Sequence, residues 1–295
     1  MRFRATVVSV QAFFRLIQSV GSLQKKCFIK FNETLMEAIC NNETNEGGIQ
    51  VWARIKIESL FDNYRIQSNA NNQITMSLTC DALLGALKSA SASTTSSTTF
   101  DAEEVVMKLA KKDDQALLSF EIPGQTRNGQ RVRVTHDVKI EIMRPSEAEK
   151  MTEPLCPPAM AMIVMPDLEK VRTIVDRMRQ IADTLIVQGS NNGKLVLAVK
   201  TDAVDLRTEW ANCENVETDV ALDPEEDPDP EKLHTIYVSA KSFYKFLTCH
   251  LVSTTTIVSI CKNHCLIIYV YIGDTTDAGG VLTFYIPAII EDDEL

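Results

Sequence analysis

The clearest pattern in the chain runs over residues 49–58. There Ile49, Val51, Ala53, Ile55 and Ile57 interleave with Gln50, Trp52, Arg54, Lys56 and Glu58. Successive side chains of a strand face opposite ways, so a period of two predicts a half-buried antiparallel strand. A helical period appears in residues 10–26, where Phe13, Leu16, Ile17, Val20 and Leu23 form one stripe. Gln11, Arg15, Gln18, Ser22 and Lys25 fall on the opposite face. Asp167 opens a second such helix with Leu168, Val171, Ile174, Val175, Met178 and Ile181 on one side. Two more helices are predicted, one from the Thr79 cap through Leu83, Leu84 and Leu87 to about Ala90, the other from the Ser239 cap over 240–250.

The remaining apolar runs read as strands: 2–8, 26–31, 34–40 (with helix as the alternative), 74–78, 103–111, 116–122 and 131–142, then 159–165, 184–188, 194–201, 204–210, 234–238, 255–261, 266–272 and 280–289. Residues 89–100, rich in Ser and Thr, read as a flexible loop, and 213–231, with three prolines, as a disordered one.

Taken in order, each half reads β, α, several β, α, then three β. Leu78-Thr79-Cys80-Asp81 aligns with Val238-Ser239-Ala240-Lys241, and Thr135-x-x-Val138-x-Ile140 with Thr283-x-x-Ile286. Between the halves lie residues 143–158, MRPSEAEKMTEPLCPP, whose four prolines remove backbone donors and favour extended backbone before them. The stretch reads as neither helix nor strand. The expected fold is therefore α+β: two tandem domains, each with antiparallel sheets and two helices on one face. Their bounds are 1–142 and 159–290, joined by the connector 143–158 and followed by an acidic tail, 291–295.

Charge sharpens this picture. The chain carries a net −10, yet residues 213–231 hold nine acidic residues and no Lys or Arg, and the tail holds four more. Without those segments the remainder is +3. The four predicted helices contain ten basic residues, Arg15, Lys25, Lys26, Lys88, Lys170, Arg172, Arg177, Arg179, Lys241 and Lys245, against five acidic ones, Asp81, Asp167, Glu169, Asp176 and Asp183. A basic surface shared by helices on one side of repeated sheets suits phosphates, with affinity but little base discrimination. A solvated charged face is the simpler reading of any one helix.

Eight scattered cysteines, several within apolar runs, point to reduced thiols in cytosol or nucleus rather than a disulfide framework. The arginines before the first apolar patch imitate a signal peptide, but Gln11 and Arg15 interrupt that patch and no small-residue cleavage site follows. No apolar run approaches the roughly 20 residues of a membrane span. The sequence holds no G-x-S-x-G, no Walker loop and no G-x-G-x-x-G. His136-Asp137 resembles an acid–base pair, but strand neighbours face opposite sides, which favours a core histidine. Cys261, His264 and Cys265, with Cys249-His250 upstream, form the one metal-like cluster. A hairpin turn at Lys262-Asn263 explains its spacing without a metal, so no metal, cofactor or catalytic residue is expected. An enzyme using His136 or this cluster is the reading from another class.

The chain resembles the sliding clamps, PCNA and its relatives, and more narrowly the Hus-type subunits of the nine-one-one checkpoint clamp. The residues that carry the resemblance are Met1-Arg2-Phe3-Arg4-Ala5; Gly47-Gly48 followed by Trp52; Leu78-Thr79 with Ala86-Leu87-Lys88 and Ala90; Val134-Thr135-His136-Asp137; and Phe284-Tyr285-Ile286-Pro287-Ala288. The pattern spans nearly the whole chain. It implies two tandem DNA-clamp domains in a nuclear, non-catalytic scaffold. That scaffold would be a heterotrimeric ring with two other clamp-like subunits, placed around double-stranded DNA at damage sites by a clamp loader to recruit checkpoint and repair proteins. A homotrimeric replication clamp is the alternative.

Under this resemblance the ten basic helix residues would face the duplex. The subunit interfaces would lie on strands 103–111 and 194–201, through Glu103, Val105, Met107, Leu109, Leu195, Leu197 and Val199. Each strand is expected to leave an edge that a neighbouring subunit covers. The long acidic loop and the tail are not evident features of that family.

Overall fold

A computed structural model describes residues 1–41, 48–95, 100–102, 104–126, 129–216, 229–273 and 278–290. Residues 217–228 of the acidic stretch, the tail 291–295, residues 96–99 of the Ser/Thr-rich run, Gly47 and Glu103 lie outside the described residues. The chain divides into two compact units, one formed by Met1–Cys40 with Trp52–Thr152, the other by Asn41–Val51 with Glu153–Leu295.

The first unit contains β1 (Arg2–Val7), α1 (Val10–Gly21), β2 (Lys26–Phe31), β3 (Leu35–Cys40), β4 (Gln50–Lys56), α2 (Ile57–Leu60), β5 (Phe61–Gln67), β6 (Ile74–Thr79), α3 (Cys80–Thr95), β7 (Phe100–Ala102), β8 (Val106–Lys112), β9 (Gln115–Thr126), β10 (Arg131–Ile142) and the single turn α4 (Pro145–Ala148). Its strands order as β4-β3-β2-β6-β10-β9-β8-β1-β5, with β7 beside β9. The long strand β10 joins the two halves of this arrangement. Residues 131–139 pair with β9, and Ile140–Ile142 pair with Leu78–Met76 of β6.

Helix α1 forms because its apolar stripe has a sheet to cover. Phe13, Ile17 and Val20 are fully buried, and Ser9 caps the start by accepting from the Ala12 amide at 3.3 Å. It packs along α3 so closely that a Cβ at Gly21 would stand 3.0 Å from Cys80 Cβ. Phe3, Phe13, Phe31, Phe61 and Tyr64 form an aromatic cluster beneath it, with centroids 4.6 Å apart for Phe3–Phe31 and 5.6 Å for Phe13–Phe61.

The second unit contains β11 (Ala161–Val164), α5 (Leu168–Met178), β12 (Thr184–Gly189), β13 (Leu195–Lys200), β14 (Asp205–Trp210), β15 (His234–Ser239), α6 (Ala240–Phe246), a 3-10 turn (Leu247–Leu251), β16 (Thr255–Cys261), β17 (Cys265–Ile272) and β18 (Gly280–Pro287). One sheet orders as β14-β13-β12-β15, and β11-β16-β17-β18 run side by side. Asp167 caps α5 by accepting from the Glu169 and Lys170 amides, and Ser239 caps α6 through Ser242. Phe243, Phe246 and Phe284 form the aromatic core here.

The internal repeat read from sequence is a structural one. Leu78 pairs with Ile140 in the first unit, and Val238 bridges Ala288 in the second. Extending the alignment of Thr135-x-x-Val138-x-Ile140 with Thr283-x-x-Ile286 by two positions sets Ala288 against Ile140. In both units the strand before the second helix meets the closing strand at the same point.

Three expectations are corrected, and one strand was not expected. The strand at 49–58 ends at Lys56, because Ile57 and Leu60 are both buried on a helical turn that reverses into β5. Strand β5 is the one not expected: Tyr64 and Ile66 alternate with exposed Asn63, Arg65 and Gln67, but only Phe61 is fully buried. Helix α3 continues to Thr95 through serines and threonines read as loop. Its buried Leu83, Ala86, Leu87 and Ala90 provide the nucleus, and adding residues to a formed helix is far easier than starting one. The connector is not wholly extended: Pro145 opens the turn α4, where its missing N–H is harmless.

Candidate nucleic-acid interface

In the first unit α1 and α3 pack side by side, and in the second α5 packs on α6 and the 3-10 turn. Burial of Phe13, Leu16, Ile17 and Val20 on α1, and of Leu168, Val171, Val175 and Met178 on α5, sends the polar faces of these helices outward. Arg15, Lys25 and Lys88 are exposed in the first unit, and Lys170, Arg177 and Lys241 in the second, with Lys245 half-buried.

The ten basic residues are not equivalent. Lys26 Nζ holds Glu141 at 2.9 Å, and this hydrogen bond, with a second from Ser77, draws the Glu141 carboxyl below its usual range. Arg179 donates from Nε to Asp176 at 2.9 Å and again from a terminal nitrogen. That bonding lowers the Asp176 carboxyl and raises the guanidinium. The guanidinium of Arg179 also sits 4.2 Å from the centroid of Tyr244, and that of Arg172 at 5.2 Å. Lys26, Arg172 and Arg179 are therefore engaged within their own unit. Arg15, Lys25, Lys88, Lys170 and Arg177 make no ion pair among the described residues. Sequence could not foresee the Tyr244 platform, because it joins α5 to α6 across more than sixty residues of chain.

Positive charge of this kind suits phosphate oxygens, an attraction that weakens steeply with salt.

The expected open edges lie elsewhere. Strand β8 is paired on both sides, with β1 and with β9. Strand β13 is likewise held between β12 and β14. Val105, Met107, Leu195, Leu197 and Val199 are buried core, and Leu109 is half-buried. Among the described residues, β10 over residues 131–139 has only β9 beside it, β14 has only β13, and β5, at the end of its sheet, has only β1. The first two present charged outer positions, Arg131, Arg133 and Lys139 on β10 and Asp205, Arg207 and Glu209 on β14.

His136 is half-buried, with Nε2 2.8 Å from Ser89 Oγ, while Asp137 accepts from Ser119 Oγ at 2.7 Å on the other face. The pair is split, as strand geometry requires. Cys249 is buried and His250 Nδ1 lies 2.9 Å from the Leu247 carbonyl, and among the described residues neither joins the donor cluster at the Cys261–Cys265 hairpin. Cys156 from the connector does.

The profile of the family described as "Hus1-like protein" matches residues 1–290. "Checkpoint protein hus1" of Schizosaccharomyces pombe is 26% identical over 298 residues, covering 99% of this chain and 100% of that protein. "Checkpoint protein HUS1" of Homo sapiens is 23% identical, covering 98% and 100%. The crystal structure of proliferating cellular nuclear antigen from Entamoeba histolytica superposes with a TM-score of 0.68 at 16% identity, covering 98% of this chain and 99% of that one. The fold is that of a PCNA-like clamp.

Proposed function

The chain belongs to the Hus1-like family, and from that premise we propose that it is one subunit of a heterotrimeric checkpoint clamp that encircles DNA at sites of damage. The observation that carries this reading is the match to the family over residues 1–290, together with checkpoint relatives that the chain covers over their full length. The likeness to a replication clamp is one of fold alone, so the homotrimeric alternative has no comparable support.

In this role the protein is a scaffold, without catalysis, in the nucleus. The exposed basic residues of the helices hold the phosphate backbone loosely enough to slide. Two other clamp-like subunits dock along the open sides of β10 and β14, where an added strand satisfies backbone groups that otherwise face water. Beside the connector 143–158, on which Leu155 is 95% exposed, checkpoint and repair proteins find an apolar handle. A clamp loader opens and closes the ring.

Co-expression with two other clamp-like subunits followed by native mass spectrometry tests the assembly. The expected product is a 1:1:1 complex. A homotrimer of this chain, stable in the presence of the others, would overturn it.

A further inference from the structure

Three thiols and an imidazole meet at the β16–β17 hairpin. The Sγ atoms of Cys156 and Cys265 and a ring nitrogen of His264 all lie within 4.8 Å of one another. Cys265 Sγ and Cys156 Sγ are 3.3 Å apart although 109 positions separate them. Cys261 is the cross-strand partner of Cys265, and its thiol is hydrogen-bonded to it.

The fold builds this convergence. Lys262, Asn263 and His264 form a three-residue turn, closed by the His264 amide on the Cys261 carbonyl at 3.1 Å, with Asn263 at φ 53°. The turn sets Cys261 and Cys265 face to face. The Ala288 amide then fixes the His264 carbonyl at 2.9 Å. Pro154, Pro157 and Pro158 flank Cys156 and restrict the backbone that carries it.

Packing alone does not account for the arrangement. Cysteine serves a core as a small apolar residue, but Cys156 is half-buried, His264 is exposed, and both turn donor atoms toward buried Cys265. Thiols are weak donors and weak acceptors, so they gain little from one another. A cation bound between them would give all of these donor atoms a common partner.

We propose that Cys156, His264 and Cys265, with Cys261 completing the set, form a binding site for a zinc-class divalent metal that ties the connector to the β16–β17 hairpin. Thiolate and imidazole donors suit zinc over magnesium or calcium, which take oxygen ligands. Tetrahedral zinc with metal–sulfur bonds of about 2.3 Å sets neighbouring sulfurs about 3.8 Å apart, a shift of roughly half an ångström from their present separation. Each bound thiol releases its proton to solvent, so binding strengthens as pH rises. The site stands independently of the clamp reading.

The test uses the full chain, purified reduced and without chelator. Elemental analysis is expected to find about one zinc per chain, and cobalt(II) titration to give the visible bands of a tetrahedral thiolate site. Cys156→Ser should reduce zinc to background, and the exposed-site variant His264→Asn should weaken cobalt binding by more than about tenfold, both with unchanged circular dichroism. A chelator should speed proteolysis within residues 151–158 in the wild type and leave the Cys156→Ser rate unchanged. Absence of both zinc and cobalt bands from the reduced wild type would overturn the proposal. So would equal metal binding by wild type and Cys156→Ser, or a resident Cys156–Cys265 disulfide in non-reducing peptide maps.

Discussion

Replacing Lys25, Lys88, Lys170 and Arg177 together by alanine removes side chains that face solvent without an ion pair among the described residues. Each phosphate contact contributes about 0.9 to the slope of log binding constant against log salt. Four contacts therefore account for a slope of between about 3 and 4, which amounts to roughly a hundredfold in affinity between about 50 and 200 mM salt. The matched control is Lys26→Ala with Arg179→Ala, whose charges already meet Glu141 and Asp176. That pair should change the slope by less than about 1. The assay is fluorescence anisotropy of a labelled linear duplex, which a ring can thread from its ends, titrated with the co-expressed assembly at a series of salt concentrations. A quadruple variant with the wild-type slope, or a control that shifts it equally, would refute the assignment of these residues to DNA.

Three further outcomes are expected. Gly193 has φ +83° and a Cβ there would stand within 3.3 Å of both the carbonyl carbon and the amide nitrogen of Cys213, so Gly193→Ala should lower stability by about 2 kcal/mol or more in chemical denaturation. Val132 on the open side of β10 is 38% exposed, so Val132→Glu should reduce the yield of assembled ring while leaving monomer stability within about 0.5 kcal/mol. Asp176 titrates below its ordinary range because Arg179 bonds its charged form. Its stabilisation is thus complete above the unfolded carboxylate pKa and lost as pH falls through the lower folded one, so Asp176→Asn should flatten the acid limb of the stability–pH curve.

The sequence made most helices and strands readable, and the reason is periodicity. The stripe Phe13, Leu16, Ile17, Val20 and the alternation from Ile49 to Ile55 each report a buried face directly. The repeat was also legible in the order of its elements, and the structure adds the matching contacts of Leu78 with Ile140 and of Val238 with Ala288. Edges were not. Whether β8 or β10 lies at an open side depends on which distant strand pairs with it, and Met107 has the same apolar character in either place. A position next to a core strand cannot be told from an interface by hydrophobicity. The engaged arginines were hidden for the same reason, since Tyr244 and Arg179 belong to different helices. The thiol cluster needed the fold too: Cys261 and Cys265 are neighbours in sequence, whereas Cys156 arrives from the connector.

The claim that the assembly encircles DNA is tested most directly by topology. The co-expressed ring is loaded on nicked circular plasmid, washed at high salt, and the plasmid is then cut once. Retention on the circle and release on linearisation are expected. Equal release from circular and cut plasmid, or persistence after cutting, would contradict it.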